Sequence, residues 1–463
     1  MDSAHSTARD NYRLIVTRSN ASEILLRSHG SAWCLPSVEI PQGQRIAEQL
    51  TAALYAQWGC RAYCLLVPNL AAGLPHCSIM EATDLEEISP NGTCWKPLDV
   101  ATCAAVDPAE DRTVIEKSIL EWAEYRREPS QAPFTKPGWL SELLAWAQEQ
   151  LAPLGVRLTG SYAQLNASPR FSLIRLETND ASAVWFKATG EPNLHELPVT
   201  LALARLFPGY VPRMLGVHSA WNGWLSLEAP GVLLDNREEF SSWERAAREL
   251  AELQLASVEK CPELLESSCK DLRLPKLIKL VDPFLARMAD LMAAQTKQPP
   301  DPLTLASLAF LGERLKETCA LLHELDLPET LGHADFNPGN IVVSPSECCF
   351  LDWAEGCVSH PFLTFEYLRE HVRRRFRGDA AAMERIAAAY LHPWQGICHS
   401  HTVIQAMAIS PLVAVFAAAV ADEQWQSIDP RKHQRVAGSF RSLTRRMFRE
   451  ASEMVEGSEP CRA

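Results

Sequence analysis

The sequence lacks the short motifs that would assign a common enzyme class at once. It contains no GxxxxGK[ST], GxSxG or HExxH segment, which removes the P-loop nucleotidase, serine hydrolase and zinc protease interpretations. Its 14 cysteines form no CxxC pair, and residues 1–10 contain no apolar signal core. We therefore expect reduced, mostly buried thiols in a cytoplasmic protein.

Positive charge is also scarce. The chain has 44 lysine and arginine residues against 57 aspartate and glutamate residues, for a formal net charge of -13. A dedicated nucleic-acid-binding protein is expected to carry a basic surface, so we expect no nucleic-acid partner. The stretch nearest to a membrane span, residues 402–421, is interrupted by Gln405, Ser410 and Pro411. This favours a buried core helix and no membrane partner.

The composition that is present is typical of a folded protein with two or three domains, since 47% of the 463 residues are hydrophobic and 22% are charged. A boundary is predicted at residues 127–139, REPSQAPFTKPGW, where three prolines and a glycine separate two helical patterns. The sequence thus predicts a first domain over residues 1–128 and a linker over residues 129–138.

The predicted first domain has two strand-like runs, YRLIVTR and EILLRS, and then a helix-like run that ends at Gly59. This order, with a W-x-L-P segment at residues 33–36, resembles the Nudix fold and implies an α/β domain. In that family, glutamates on a loop and helix hold a divalent cation beside a diphosphate. The matching positions here cannot supply negative charge: Gln44, Ala53, Ala56 and Gln57. We therefore predict a degenerate, catalytically silent Nudix-like domain.

The rest of the chain places polar residues among strand-like and helix-like runs. Lys187 ends a predicted hairpin, RFSLIRLET and SAVWFKA, and Glu196 stands near the start of the helix that follows. Much later, HADFNPGN and FLDW bring Asp335, Asn340 and Asp352. Taken singly, such residues are typical of exposed positions and tight turns. Their order along the chain gives the set its weight.

This ordered set, a strand lysine, a helix glutamate, H-x-D-x4-N and a later aspartate, resembles the aminoglycoside phosphotransferase and choline kinase family. The resemblance is greatest to bacterial proteins that join a Nudix-like domain to this kinase fold through a KPGW segment. It implies an α+β, two-lobed, protein-kinase-like fold preceded by the Nudix-like α/β domain. It predicts a small β-sheet lobe over residues 139–232 and a larger helical lobe over residues 233–463.

The resemblance also implies ATP- and magnesium-dependent transfer of the γ-phosphoryl group to a hydroxyl of a small molecule. Asp335 would accept the hydroxyl proton or orient the hydroxyl. His333 would brace this catalytic loop, with a general-base role as the alternative. Asn340 and Asp352 would bind magnesium. The nucleotide would contact, by the same resemblance, Gly160, Lys187, Glu196, Glu228 and Ala229.

The sequence departs from the family pattern at three further places. Ala334 replaces the usual glycine between the histidine and the aspartate, which is tolerable unless that residue needs a positive φ angle. Pro198 requires its helix to begin close by, because proline fits the first turn and breaks a helix interior. Thr364 stands where many relatives carry another aspartate, so we expect His360 or Glu366 to substitute for it structurally.

Alternatives remain open for both parts of the chain. One is a pseudokinase module that binds a nucleotide or metabolite without turnover, and another, a Nudix-type diphosphate hydrolase, needs the missing glutamates. The acceptor is open among aminoglycosides, choline-like compounds, sugars and amino alcohols, and the acidic balance favours a cationic one. Its binding residues are expected around Glu355, Glu366 and residues 422–425. The HSH segment at 399–401 and the arginine-rich segment at 373–379 are interpreted as surface features.

Overall fold

The computed structural model describes residues 8–18, 20–30, 32–71, 73–83, 92–128, 132–180 and 182–456. Residues 1–7, from the polar N-terminal segment, and 129–131, from the predicted linker, lie outside the described residues. The chain forms two compact units: the first unit is Met1–Leu197 with Arg213–Glu228, and the second unit is Pro198–Pro212 with Ala229–Ala463. The predicted domain boundaries at 128, 138 and 232 stay predictions.

The first unit begins with a mixed sheet, here named the first sheet. Its elements are β1 (Arg9–Arg18), β2 (Glu23–His29), β3 (Ala32–Cys34), β4 (Ser37–Pro41), α1 (Ile46–Trp58), β5 (Ala62–Leu66), β6 (His76–Ala82), β7 (Thr93–Pro97), α2 (Val100–Ala104) and α3 (Ala109–Arg127). In the described residues the strands pair in the order β3-β2-β1-β6-β5, with β4 joined to β1 and β7 to β2. β1 and β6 run parallel, and the other pairs run antiparallel.

Helix α1 confirms the helix predicted before Gly59. Its buried residues recur at helical spacing and pack on the sheet: Ala47, Leu50, Leu54 and Trp58. The helix ends because Gly59 adopts a left-handed conformation with φ of +68°, and its N–H donates to the Tyr55 carbonyl at 2.7 Å. The Nudix-like assignment of this region stays a prediction.

The first unit continues into an antiparallel sheet, here named the second sheet. Its elements in this unit are α4 (Trp139–Leu151), β8 (Leu158–Gln164), β9 (Phe171–Thr178), β10 (Val184–Thr189), β11 (Met214–His218) and β12 (Gly223–Leu227). Helix α5 (Glu196–Leu206) begins in the first unit and belongs to the second unit from Pro198 onward. In the described part of the chain the strand order of the second sheet is β11-β12-β10-β9-β8. The predicted hairpin is confirmed as β9 and β10, since β9 alternates half-buried and buried side chains as a one-sided strand does.

One hydrophobic core joins the two sheets of the first unit. It contains Ile79 from the first sheet, Trp139 from α4 and Phe186 from the second sheet. The Trp139 ring is fully buried, with its centroid 5.5 Å from that of Tyr63 and 5.8 Å from that of Phe186. Aromatic pairs at these distances contribute about 0.5–1.5 kcal/mol each beyond their burial. The two sheets therefore stabilise each other.

The second unit is mostly helical. After α5 its elements are β13 (Val232–Leu233), α6 (Phe240–Ser257), α7 (Cys261–Glu266), β14 (Lys270–Leu272), α8 (Leu274–Ala293), α9 (Leu305–Glu324), β15 (Thr330–His333), β16 (Ile341–Val343), β17 (Cys348–Phe350), β18 (Gly356–Ser359), α10 (Pro361–Arg375), α11 (Ala380–Leu391), α12 (Ser400–Ala421) and α13 (Gln434–Glu456). Short sheets pair β13-β16-β17 and β14-β18-β15. An antiparallel sheet followed by a helical region confirms the predicted α+β fold class.

Helix α12 is the uncharged stretch singled out in the sequence. Among the described residues it is the helix long and apolar enough to cross a membrane, with a mean hydropathy of 2.2. Most of that stretch, 61%, is buried. Its side chains, such as Leu412 and Phe416, belong to the core of the second unit, in agreement with the predicted core helix.

The cysteines behave as small apolar side chains. The described residues contain thirteen free thiols, and nine of these are buried. Burial raises the pKa of several of them, including Cys64 and Cys357, each to about 12. Such thiols are protonated at neutral pH, so they contribute packing rather than reactivity.

Candidate active site

Lys187 and Glu196 form a buried ion pair in the first unit. The Cα atom of Lys187, in β10, is opposite Leu173 and Trp224 of the neighbouring strands. Its Nζ donates to Oε1 of Glu196, whose side chain is only 2% exposed. Because a buried charge is costly without a partner, each residue fixes the other. The condition set by Pro198 is met, since α5 begins at Glu196 and the proline lies in its first turn.

Two aromatic rings complete the surroundings of the Lys187 amino group. Nζ lies 5.7 Å from the ring centroid of Phe171 and 5.8 Å from that of Trp224. Cation–π attraction at these distances stabilises the ammonium. The Lys187 side chain is 14% exposed, so its charge stays accessible to an anionic ligand.

The glycine expected to lie beside the phosphates is in β8, at the edge of the second sheet. The pairing of β8 with β9 shifts register between Leu158 and Tyr162, and Gly160 inside this irregularity has a φ of +85°. No described atom lies within 4 Å of the position that a Cβ atom would take there. The backbone conformation, rather than crowding, is therefore what requires glycine.

Glu228 follows β12, and its side chain makes hydrogen bonds within the second sheet. Its carboxylate accepts hydrogen bonds from Arg175, at 2.7 and 3.0 Å, and from the Trp185 indole at 3.0 Å. The Arg175 hydrogen bonds are the main cause that lowers the pKa of Glu228. Its main-chain N–H donates to the Ala183 carbonyl at 3.0 Å. The main chain and the side chain of Glu228 are therefore both engaged within the second sheet, and the nucleotide contact of Ala229 stays a prediction.

In the second unit, a short hairpin brings Asn340 and Asp352 to the same end. Strands β16 and β17 pair with Ile341 opposite Phe350. The Leu351 N–H donates to the Asn340 carbonyl at 2.8 Å, which extends the ladder by one step. Asp352 follows directly and turns the chain with a φ of +64°. The two predicted magnesium ligands thus lie on opposite strands at one position of the hairpin.

Asp335 is tied to this end of the hairpin by hydrogen bonds to its carbonyl. Nδ2 of Asn340 donates to that carbonyl at 3.1 Å, and the Asn337 N–H donates to it at 2.8 Å. The donating amide nitrogen of Asn340 defines its orientation, with Oδ1 directed away from this contact. Asp335 and Asp352 both act electrostatically on His333. The structure therefore brings together Asp335, Asn340 and Asp352.

His333 joins the two segments through both of its ring nitrogens. Nδ1 accepts a hydrogen bond from the Asp335 N–H at 3.1 Å, and Nε2 lies 3.1 Å from the Leu351 carbonyl, to which it donates. A neutral ring with its proton on Nε2 satisfies both contacts. Burial lowers the pKa of His333 and favours this neutral form. The geometry favours the brace over the general base, because both ring nitrogens are already engaged.

The backbone around His333 is held by the hydroxyl of Thr364. The His333 N–H donates to Thr364 Oγ1 at 2.9 Å. A Cβ atom at Gly332 would come within 2.9 Å of this oxygen and 2.6 Å of Ser359 Oγ, so glycine is required there by crowding. Ala334 has no positive φ angle, which explains why alanine is tolerated in place of the usual glycine.

His360 and Glu366 both contact α10, and the expectation that one of them substitutes structurally for the usual aspartate stays a prediction. His360 Nδ1 accepts a hydrogen bond from the Phe362 N–H at 3.4 Å and caps α10. Glu366 pairs with Arg369 at 2.6 Å and with Arg373 at 3.3 Å. Burial raises the pKa of Glu366, and both arginines oppose this shift. These contacts stabilise α10.

Tyr367 contacts the central carboxylate, although no sequence motif points to it. Its hydroxyl donates to Asp335 Oδ1 at 2.8 Å. Burial and the nearby carboxylate raise the pKa of Tyr367, so the phenol keeps the proton that it donates. The available signal was spacing, since Thr364, Tyr367 and His371 lie three and four residues apart on one face of α10.

The charged residues expected to bind the acceptor are paired within the second unit. Glu355 forms an ion pair with Lys270 at 2.5 Å. In the arginine-rich segment, Arg374 pairs with Glu370 at 2.7 Å. Trp425, from the segment 422–425, is buried. These contacts lie within the second unit and assign no acceptor.

The donor set at the hairpin fits magnesium. Asn340 offers a neutral oxygen and Asp352 a carboxylate, and magnesium is commonly held by one or two protein oxygens together with water and substrate phosphates. The described residues contain no group of three or more His, Cys, Asp or Glu residues placed to hold a metal ion. A hard cation shared with phosphate therefore suits this pair better than a resident zinc ion.

The Nudix-type alternative gains no metal-binding residues from helix α1. Ala53, Ala56 and Gln57 lie on this helix, and Gln44 lies just before it. Glu48 is exposed on the same helix. Exposed glutamates on a helix are most simply explained by solvation.

One family model matches part of the chain. A sequence profile of the phosphotransferase enzyme family matches residues 193–397. This range contains Glu196 and the cluster of Asp335, Asn340 and Asp352. No curated protein matches the chain.

Several solved structures are similar to the chain at low sequence identity. An ethanolamine kinase from Plasmodium vivax is 12% identical, with a TM-score of 0.49 over 76% of this chain and 96% of its own. A choline kinase from Cryptosporidium parvum Iowa II is 10% identical, with a TM-score of 0.49 over 69% of this chain and 97% of its own. Macrolide 2'-phosphotransferase from Brachybacterium faecium is 16% identical, with a TM-score of 0.39 over 62% and 95%.

The family match covers the segment that holds the catalytic-loop candidates, in agreement with the order of the motifs. The Nudix-like character of the first domain stays a prediction. Over residues 193–397, the chain is similar to the phosphotransferase enzyme family.

Proposed function

We propose that the chain is an active small-molecule kinase that transfers the γ-phosphoryl group of ATP, with magnesium, to a hydroxyl group. The observation that carries this proposal is the convergence of Asp335, Asn340 and Asp352 at one end of the β16–β17 hairpin. A neutral histidine, His333, braces both segments. The family match supports phosphoryl transfer as the class of reaction.

In this proposal each residue of the second unit has one task. Asp335 accepts the proton of the acceptor hydroxyl or orients it for in-line attack. The Tyr367 hydrogen bond holds Oδ1, which directs Oδ2 toward the acceptor. Magnesium, when bound by Asn340 and Asp352, neutralises charge on the phosphate oxygens.

The first unit supplies the phosphate contacts. Lys187, fixed by Glu196, offers a positive charge to the α- and β-phosphates. The backbone at Gly160 approaches the phosphates, because no side chain intervenes there. Main-chain groups at residues 228–231 receive the adenine.

The test is an acceptor screen with the full chain, ATP and magnesium, in which phosphorylated products are detected by mass spectrometry. Cationic hydroxyl compounds come first, because the chain is acidic. We expect at least one acceptor to be phosphorylated. Asp335→Asn should slow transfer by about 100-fold or more. Asp379→Asn is the matched control, since Asp379 only caps α11 and asparagine caps equally well.

Two results would contradict the proposal. Nucleotide binding without product from any acceptor would favour the pseudokinase module. Hydrolysis of nucleoside diphosphates that persists in Asp335→Asn would favour a Nudix-type hydrolase.

A further inference from the structure

One side chain joins the edges of the two sheets in the first unit. β5 forms an edge of the first sheet, and β8 forms an edge of the second sheet. Nε2 of Gln164 donates to the Cys64 carbonyl at 2.8 Å, and the Cys64 N–H donates to Oε1 of Gln164 at 2.7 Å. A primary amide carries the same donor and acceptor as a peptide group. Gln164 therefore acts as one rung of a ladder between the two sheets.

This contact is buried and fully paired. Gln164 and Cys64 are each only 1% exposed. Removing one partner of a buried hydrogen bond leaves the other unsatisfied, which is more costly than the bond itself is stabilising. The relative position of Gln164 and Cys64 is therefore strongly constrained.

Other contacts join the same two regions. The hydroxyls of Tyr162, in β8, and Thr83, which follows β6, lie 3.4 Å apart. The Gly138 N–H, at the start of α4, donates to the Glu81 carboxylate at 2.8 and 3.0 Å. The end of β8 is thus tied to the region of residues 62–83.

The part of β8 around Gly160 is held within the second sheet, where Thr159 Oγ1 donates to the Glu177 carbonyl at 3.3 Å. Gly160 and Ser161 are exposed, and β8 and helix α1 line a cleft of about 340 Å³ beside them. An exposed edge strand with a glycine inside a register irregularity samples more conformations than a regularly paired strand. The anchors at Tyr162 and Gln164 therefore limit where this segment can move.

We propose that the predicted first domain holds strand β8 in place, and that Gln164 is a positioning residue for nucleotide binding at Gly160. The nucleotide part of this inference rests on the proposed function. A strand held in place before binding loses less conformational entropy when the nucleotide binds. This gives the catalytically silent domain a mechanical role in the kinase.

The experiment uses the full chain with Gln164→Met, which keeps the side-chain length and removes both hydrogen bonds. We expect amide hydrogen exchange in residues 158–164 to accelerate at least tenfold. We expect the Kd for ADP with magnesium, measured by calorimetry, to rise about tenfold, while kcat at saturating ATP is retained. Tyr162→Phe removes the hydroxyl that lies 3.4 Å from that of Thr83 and should shift both quantities in the same direction by less.

The matched control is Thr17→Val, which removes a buried hydrogen bond from Thr17 Oγ1 to the Met80 carbonyl within the first sheet. It should lower Tm without changing β8 exchange or nucleotide affinity. Unchanged amide hydrogen exchange in both β8 variants would overturn the proposal that the first domain holds β8 in place. Faster exchange with unchanged affinity, in a wild-type chain that binds ADP, would overturn the positioning role. A wild-type chain that binds no nucleotide would instead overturn the proposed function. The hydrogen-exchange result alone would then test whether the first domain holds β8 in place.

Discussion

The hydroxyl of Tyr367 donates a hydrogen bond of 2.8 Å to Oδ1 of Asp335, across 32 positions of sequence. This contact gives the proposed catalytic carboxylate a fixed orientation. Tyr367→Phe removes one oxygen atom and should lower the phosphoryl-transfer rate about tenfold, because one charge-assisted hydrogen bond is lost. Steady-state kinetics should show a lower kcat with an unchanged KM for ATP.

Tyr390→Phe is the control for this prediction. Its hydroxyl donates to Gln254 Oε1 at 2.6 Å in the core of the second unit. This variant should lose stability and keep its kcat. An unchanged kcat in Tyr367→Phe would show that the contact with Asp335 has no catalytic consequence.

Lys187→Met should slow phosphoryl transfer by about 100-fold or more, because it removes a positioned charge that pairs with the buried Glu196 carboxylate. Transfer rates at saturating ATP provide the measurement. Lys136→Met is the matched control, since Lys136 pairs with Glu142 on the surface of the same unit. Exposed pairs contribute about 0–1 kcal/mol, so activity should be retained. Equal losses in both variants would indicate a general effect on folding.

Asp352→Asn should raise the magnesium concentration required for half-maximal activity, since an amide oxygen carries less charge than a carboxylate. Activity measured across a magnesium titration tests this, and excess magnesium should restore part of the rate. Asp379→Asn, at the cap of α11, should leave the titration unchanged. An unshifted titration in Asp352→Asn would remove this residue from the metal site.

Folding stability should fall as the pH falls below about 6.5. Burial lowers the pKa of His333 and lowers the pKa of His360 to about 3. The unfolded chain, whose histidines titrate near 6.5, therefore binds more protons than the folded chain below that pH. The stability is fully present above pH 6.5, and each buried histidine loses about 1.4 kcal/mol per pH unit below it.

Thermal denaturation between pH 8 and pH 5 measures this dependence. His360→Asn keeps a side chain able to cap α10 and should flatten the curve. His392→Asn, at an exposed position, should leave the slope unchanged. A wild-type Tm that stays constant over this range would contradict the prediction.

Thr364→Val should destabilise the second unit by about 1–3 kcal/mol, because the buried N–H of His333 loses its acceptor. It should also lower the phosphoryl-transfer rate, since His333 positions Asp335. Chemical denaturation and initial rates provide the two measurements. Thr444→Val, which loses only a hydroxyl bond to the Phe440 carbonyl within α13, should have a small effect on both.

The sequence was most informative where function depends on residues close together in the chain. The H-x-D-x4-N segment and the following hairpin bring Asp335, Asn340 and Asp352 to one place through local strand pairing. Helix α1 could be predicted to its last residues, because Gly59 supplies the left-handed conformation that ends it. Both predictions rest on short-range geometry.

Contacts across long sequence distances were not predictable. Thr364 meets His333 only because α10 packs on β15, and Gln164 meets Cys64 across 100 positions. The residue type predicts neither contact, since threonine and glutamine are common on protein surfaces. The substitution of a threonine hydroxyl for an aspartate therefore required the structure, as did the link between the two sheets.

The left-handed backbone at Asp352 carries a further consequence. A residue with a side chain adopts this conformation at an energetic cost, and Asp352 makes no capping hydrogen bond at the turn that begins there. Glycine at position 352 would relieve the strain and raise the melting temperature, while deleting the proposed magnesium ligand. Selection for thermal stability alone would therefore favour a more stable but inactive protein. A directed-evolution library of this chain should be screened for activity as well as for stability.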